Sequence, residues 1–252
     1  MYKGKKVAVV VPAYNEEKFI AHTIMTIPHF VDQIYVVDDA SIDDTYKIAS
    51  NLASQNGRLT VIKRSKNEGV GAAIISGHKE ALEDKMDVAA IMQGDGQMDP
   101  AVLDKVLDPV AEGKADYAKG NRFSTPQHRK GMPAWRIFGS FLLTYLTRIA
   151  SGYWHISDPQ NGYTAISART LQRLDLDKLE RGFAFENDML IKLNVQRARV
   201  TDVPHPARYG GERSKIRYPR FIIRTSWVLL KDFFWRLWVK YVKRNSTKLQ
   251  ER

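Results

Sequence analysis

The sequence predicts an α/β protein with a mostly parallel central sheet, helices on both of its faces, and an amphipathic helix at its C-terminal end. Three observations lead there. Short apolar runs alternate with stretches of helical apolar spacing through the first half of the chain, the pattern of repeated strand–helix–strand units. Those runs are continuously apolar rather than alternating, as strands buried on both faces are. From Tyr218 onward, apolar side chains recur at steps of three and four among basic ones.

The elements follow in order. Residues 7–11 read as a first strand ended by Pro12, which lacks a ladder donor. Residues 16–27 carry apolar groups at helical spacing, 33–37 form a second strand, and 43–54 a helix with Asp43 near its cap. A third strand at 59–63 precedes a helix at 70–82, and a fourth at 88–92 precedes a helix at 100–109 opened by proline. A fifth strand covers 116–119. Ligands of such sheets gather beyond the carboxyl ends of the strands, so the residues after Val11, Val37, Lys63 and Met92 are where a site is expected.

Composition narrows the function classes. The 252 residues include no cysteine, which excludes disulfides, thiolate zinc sites and cysteine nucleophiles. The basic start lacks the apolar stretch of a signal peptide, and no charge-free run approaches the ~20 residues of a membrane span. The net charge of +11 is concentrated: residues 208–252 hold 13 Lys and Arg against 3 acids, leaving 26 against 25 for the rest. The body is neutral and the tail is basic. Its stripe of Ile223, Trp227, Leu230, Phe234, Leu237 and Tyr241 either packs on the body or lies in a membrane interface, with basic residues on anionic lipid. No nucleic-acid reading module accompanies the charge, and nucleic acid is not an expected partner.

The strand ends carry PAYNEE, DDASIDD, RSKNEGVGAA and QGDGQMD, with no G-x-G-x-x-G after the first strand, so a dinucleotide fold is set aside. Carboxylates dominate. They repel phosphate unless a hard divalent cation bridges the two. Two adjacent acids, Asp38 and Asp39, at a strand end repel one another without a ligand to justify them. His155 and His205 lack the spacing of a metal pair.

Eight segments in order, VVVPAYNEE, VVDDAS, NEGVGAA, MQGDGQMDP, KGNRF, DPQNGYTAIS, FENDMLIKL and YGGERSKI, together resemble family 2 glycosyltransferases with the GT-A fold, in their polyprenyl-phosphate (dolichyl-phosphate) sugar synthase-like branch. The resemblance implies a Rossmann-like GT-A catalytic domain over residues 1–217, with a basic amphipathic helix and tail over 218–252. It implies that Pro12, Tyr14 and Glu16 line base and ribose and that Asp39 accepts a hydrogen bond from the base. The metal motif Asp-x-Asp aligns with Gln93, Gly94 and Asp95. Asp95 and Gln97 would then hold Mg²⁺ or Mn²⁺, while the neutral Gln93 weakens the metal or turns to ribose. Asp99, just before Pro100, reads as a helix cap.

By the same resemblance Arg122 and Arg136 meet the diphosphate or acceptor phosphate, with Arg129 and Lys130 in a basic loop at 124–133. Arg208, Arg213, Ser214 and Lys215 form a further phosphate cluster. Asp188, with Glu186 in reserve, takes the place of the general base. The expected activity is metal-dependent, inverting transfer of a sugar from a UDP or GDP sugar to a polyprenyl phosphate, by a cytoplasmic protein peripheral at the membrane. The alternatives are transfer to a hydroxyl of a polysaccharide or glycolipid, and nucleotide-sugar binding without turnover.

Overall fold

The computed structural model describes residues 1–129, 134–207 and 218–243. Seven strands form one sheet: β1 (Val7–Ala13), β2 (Gln33–Asp38), β3 (Leu59–Lys63), β4 (Val88–Ile91), β5 (Tyr117–Asn121), β6 (Thr164–Ser167) and β7 (Val200–Pro204). They lie in the order β3-β2-β1-β4-β6-β5-β7, parallel except for β6, which runs against both neighbours. The chain winds outward from β1 to β3 and then returns to β4 on the other side of β1. The crevice between β1 and β4 is therefore the switch point where α/β sheets bind ligands.

Alternation along β1 divides the core. Val7, Val9 and Val11 face α1 (Ile20–Thr26), α2 (Thr45–Ala53) and α4 (Leu103–Ala111), while Ala8 and Val10 face α3 (Val70–Glu83), α6 (Ala168–Gln172) and α7 (Phe185–Val195). Gly77 lets α3 approach β1, since a Cβ there would lie 2.3 Å from a Val10 methyl. Two more helices, α5 (Ala134–Ser151) and α8 (Tyr218–Leu237), pack on α7 and on each other around Ala150, Ile191 and Leu229.

Two expectations shift. The first strand continues through Pro12 to Ala13. The Pro12 carbonyl faces the β4 side, where it accepts from Gly94 N at 3.1 Å, so the proline nitrogen faces that side too. Pairing with β4 stops at Val10, so no strand asks Pro12 for a hydrogen bond. The first helix starts at Ile20 instead of Glu16; before it the chain makes a single turn in which Phe19 N and Ile20 N both donate to the Glu16 carbonyl at 2.9 Å, while the N–H groups of Glu16 and Glu17 meet the Thr45 hydroxyl (2.7 Å) and the Asp43 carboxylate (3.2 Å).

Candidate active site

The loops after β1 and β2 interlock at the switch point. Asn15 N donates to the Ser41 hydroxyl at 2.9 Å, and Ile42 N donates to the Asn15 side chain at 2.9 Å. Asn15 and Ala40 both take left-handed φ values, 53° and 60°, a strained choice for alanine that positions the tight turns. Pro12 lies at the base of this wall, with Tyr14 and Glu16 partly exposed above it.

The tandem carboxylates differ. Asp39 Oδ2 accepts from Gly69 N at 2.8 Å, and its Oδ1 accepts from Glu68 N at 3.2 Å and lies 3.0 Å from Arg64 Nε. This ties β2 to the start of α3. Asp38 is fully buried, and its Oδ1 has no hydrogen-bond partner among the described residues. Asp38 thus carries the uncommitted oxygen, although Asp39 is the residue that the resemblance points to.

After β4 the chain turns at Gly96, φ 74°, with Asp95 Oδ1 accepting from Gln97 N at 3.0 Å. Gln93 lies against the loop before β6: a Cβ at Gly162 would come within 2.7 Å of its amide nitrogen. Asp99 accepts from Ala101 N at 3.0 Å and caps the short 3₁₀ turn Pro100–Val102, the role its sequence position indicates. Asp95 offers one carboxylate and Gln97 one amide oxygen. That set suits a hard cation that completes its shell with phosphate oxygens and water. The described residues contain no cluster of three His, Cys, Asp or Glu able to hold a metal alone.

On the far side of the crevice, β5, β6 and β7 carry a buried polar network. Arg122 grips Asp158 with Nε to Oδ2 at 2.7 Å and a terminal nitrogen to Oδ1 at 3.0 Å. Burial pushes the Asp158 carboxyl up, but the guanidinium outweighs it and holds the group below the usual range. Lys119, fully buried, donates to Glu186 Oε2 at 2.7 Å and to the Asn161 carbonyl at 2.5 Å. The Asn161 amide lies 2.6 Å from His205 Nε2, and this contact lies against Gly120, where a Cβ would meet the imidazole at 2.6 Å. Burial lowers the His205 pKa, consistent with a neutral ring accepting from Asn161. Asp202, raised by burial, joins Asn121 and Ser157 N.

Glu186 and Asp188, two residues apart on α7, face different ways. Glu186 faces Lys119 and, at 3.3 Å, the Tyr117 hydroxyl, in the sheet-end network. Asp188 faces α8. It accepts from Glu180 N at 2.7 Å and pairs with Lys192, and burial, opposed by Lys192 and reinforced by Asp232, raises it to about 6. The network brings Arg122 and Glu186 together and leaves Asp188 apart. His155 Nε2 donates to the Val200 carbonyl at 2.8 Å, and His155 and His205 serve separate structural contacts.

Lys130, Arg208, Arg213, Ser214 and Lys215 lie outside the described residues, as do the side chains of Arg129 and Arg136. Sequence reasoning assigned no role to Lys119, Asp158, Asn161 or Asp202. The signal for Lys119 is a cation in the middle of a strand, YAKGN, that the sheet order places between two neighbours, where a buried charge demands a partner.

A model of the family described as glycosyl transferase family 2 matches residues 8–174. The UDP-N-acetylglucosamine–dolichyl-phosphate N-acetylglucosaminyltransferase of Methanococcus voltae is 32% identical over 213 residues, covering 79% of this chain and 84% of its own. The undecaprenyl-phosphate mannosyltransferase of Micrococcus luteus is 31% identical over 202 residues, 79% of this chain and 82% of its own. Glucosyl-3-phosphoglycerate synthase of Mycobacterium tuberculosis, solved with Mn²⁺, UDP and phosphoglyceric acid, superposes with a TM-score of 0.70 at 21% identity, over 91% of this chain and 79% of its own. That likeness is one of fold.

Proposed function

The chain belongs to glycosyl transferase family 2, and from that membership we propose that it transfers a sugar, with inversion, from a UDP or GDP sugar to a polyprenyl phosphate in the membrane. One observation carries the choice of acceptor. Both acids of α7 are committed, Glu186 to buried Lys119 and Asp188 to Glu180 N and Lys192. A hydroxyl acceptor needs a general base, whereas a phosphate monoester is already an anion at neutral pH and needs none. The acceptors named for the relatives, dolichyl phosphate and undecaprenyl phosphate, agree with this.

In this reading the nucleotide lies over the interlocked loops after β1 and β2, with Pro12, Tyr14 and Glu16 as its wall and the tandem carboxylates at its base. Asp95 and Gln97 would hold Mg²⁺ or Mn²⁺, and a bound divalent ion supplies charge neutralisation to the departing diphosphate. Arg122, oriented by Asp158, presents cationic charge to the acceptor phosphate, with Arg136, Arg213 and Lys215 as further phosphate contacts. The acceptor oxygen attacks the anomeric carbon from the face opposite the diphosphate. The bond from carbon to diphosphate oxygen breaks, and the nucleoside diphosphate leaves with the electron pair.

The test is to incubate the protein with UDP and GDP sugars in turn, a polyprenyl phosphate, and Mg²⁺ or Mn²⁺. The reading requires a labelled glycolipid and one equivalent of nucleoside diphosphate. Nucleotide-sugar binding without either product would favour a binding protein without turnover.

A further inference from the structure

Asp202 joins the two segments that carry the Arg122–Asp158 pair. Its strand, β7, lies at the edge of the sheet against β5, in a register that sets Asp202 beside Lys119. Side chains two apart on a strand share a face, so Asp202 stands on the face of β5 that bears Lys119 and Asn121. There a single oxygen, Asp202 Oδ2, accepts from Asn121 Nδ2 at 2.9 Å and from Ser157 N at 2.8 Å. Asn121 and Ser157 are the residues that directly precede Arg122 and Asp158 in the chain.

Asn121 also spans the arginine. Its Oδ1 accepts from Phe123 N at 2.8 Å, and Arg122 N, between the two ends of this span, donates to Asp158 Oδ2 at 3.1 Å. Asn121 and Asp158 are buried, while Arg122 keeps 19% of its side chain exposed, so the arginine is the member of this group that reaches the crevice. A cation on a long stem binds phosphate well only where its fork is held in place before the ligand arrives. Asp158 holds the guanidinium. Asp202 holds the two backbone segments from which the guanidinium and its carboxylate grow.

We propose that Asp202 is a positioning residue for the acceptor phosphate: by clipping Asn121 and Ser157 to one oxygen it sets the spacing of Arg122 and Asp158, and with it the point at which the guanidinium meets the phosphate. This rests on the reading of Arg122 as a contact of the acceptor phosphate. The clip needs an acceptor oxygen at that point and no charge. Burial raises the Asp202 pKa, against Ser157 and Lys119, which lower it, so the neutral form is tolerated there. An asparagine whose carbonyl takes the place of Oδ2 keeps both bonds.

The experiment measures initial rates for the wild type, Asp202→Ala, Asp202→Asn, Asn121→Ala and the Asp202→Ala/Asn121→Ala double variant. The acceptor is farnesyl phosphate, and the donor is the UDP or GDP sugar that the wild type uses. Thermal melting by circular dichroism establishes which variants are folded at the assay temperature. Asp202→Ala should raise the acceptor KM about tenfold and leave the donor KM within about twofold, the scale of a contact misplaced by a fraction of an ångström. Asp202→Asn should bring the acceptor KM back to within about twofold of wild type. Asn121→Ala breaks the same clip from its other end, so it should raise the acceptor KM alike, and the double variant should rise no further.

A folded Asp202→Ala variant with the wild-type acceptor KM would overturn the proposal. So would a folded Asp202→Asn variant no better than the alanine variant, or donor and acceptor KM rising together, the mark of a general loosening. If Asp202→Ala does not fold, Asn121→Ala decides: its acceptor KM rises alone or the proposal falls. Arg122→Ala separates the clip from the reading beneath it. An unchanged acceptor KM in that variant removes Arg122 from the acceptor site, whereas a raised one beside a wild-type value in Asp202→Ala removes the clip alone.

Discussion

Replacing Lys119 by methionine removes the buried cation of the sheet-end network while filling nearly the same volume, so no cavity term enters. Glu186 is left about 10% exposed, with the Tyr117 hydroxyl at 3.3 Å as the remaining partner given by the geometry of this network. Breaking a buried pair by removing one member costs about 3–5 kcal/mol, and the Asn161 carbonyl loses a donor worth about 1 kcal/mol more. Adding Glu186→Gln removes the stranded charge and should recover most of that loss, because replacing both members of a buried pair is often close to neutral. Urea unfolding of the wild type, both single variants and the double variant reads the cycle. A loss below about 1 kcal/mol for Lys119→Met, or a double variant as unstable as the sum of the singles, would refute the pairing and the commitment of Glu186 that rests on it.

Three further outcomes are expected. Asp95→Ala should abolish metal-dependent nucleotide binding in calorimetry, because it removes the one carboxylate that the turn after β4 offers to a hard cation; Gln93→Asp should tighten metal binding if position 93 faces the same ion. Arg122→Lys cannot reproduce the two-pronged grip on Asp158, so stability should fall by about 1–3 kcal/mol and the acceptor KM should rise; wild-type values for both would contradict the assignment. Asp188, raised to about 6, binds its proton in the folded chain before it does so in the unfolded one. Its contribution to stability therefore grows as pH falls from about 6 toward 4, by on the order of 2–3 kcal/mol, and the full penalty applies above pH 6. Asp188→Asn should flatten that window, and identical pH–stability curves for variant and wild type would count against it.

The strand–helix alternation of the first half was legible because strands buried on both faces have no polar alternation to blur them, as the runs at β1, β2 and β4 illustrate. Pro12 misled because a proline ends a strand only where a neighbour asks for its hydrogen bond, and the early end of β4 cannot be seen in the sequence of β1. The antiparallel strand β6, only four residues long, carries no local sign of its direction. Asp95, Arg122 and Glu186 were found by motif, and the fold brings the last two into one network. Lys119, Asp158 and Asn161 gained their roles only when β5 and β6 paired across more than 40 residues of sequence. The separation of Glu186 from Asp188 follows from helix geometry, but which of them faces the site depended on where α8 lies.

The central claim is that the acceptor is a phosphate and that transfer needs no general base from α7. It is tested most directly by offering one prenyl chain in two forms, the polyprenyl phosphate and the corresponding polyprenol, to the same protein with the same labelled nucleotide sugar. The account predicts labelled glycolipid from the phosphate, none from the alcohol, and turnover by Glu186→Gln within about tenfold of wild type, well short of the 10²-fold or greater loss typical of a missing base. Product from the alcohol, or loss of turnover on the phosphate in a folded Glu186→Gln variant, would contradict it.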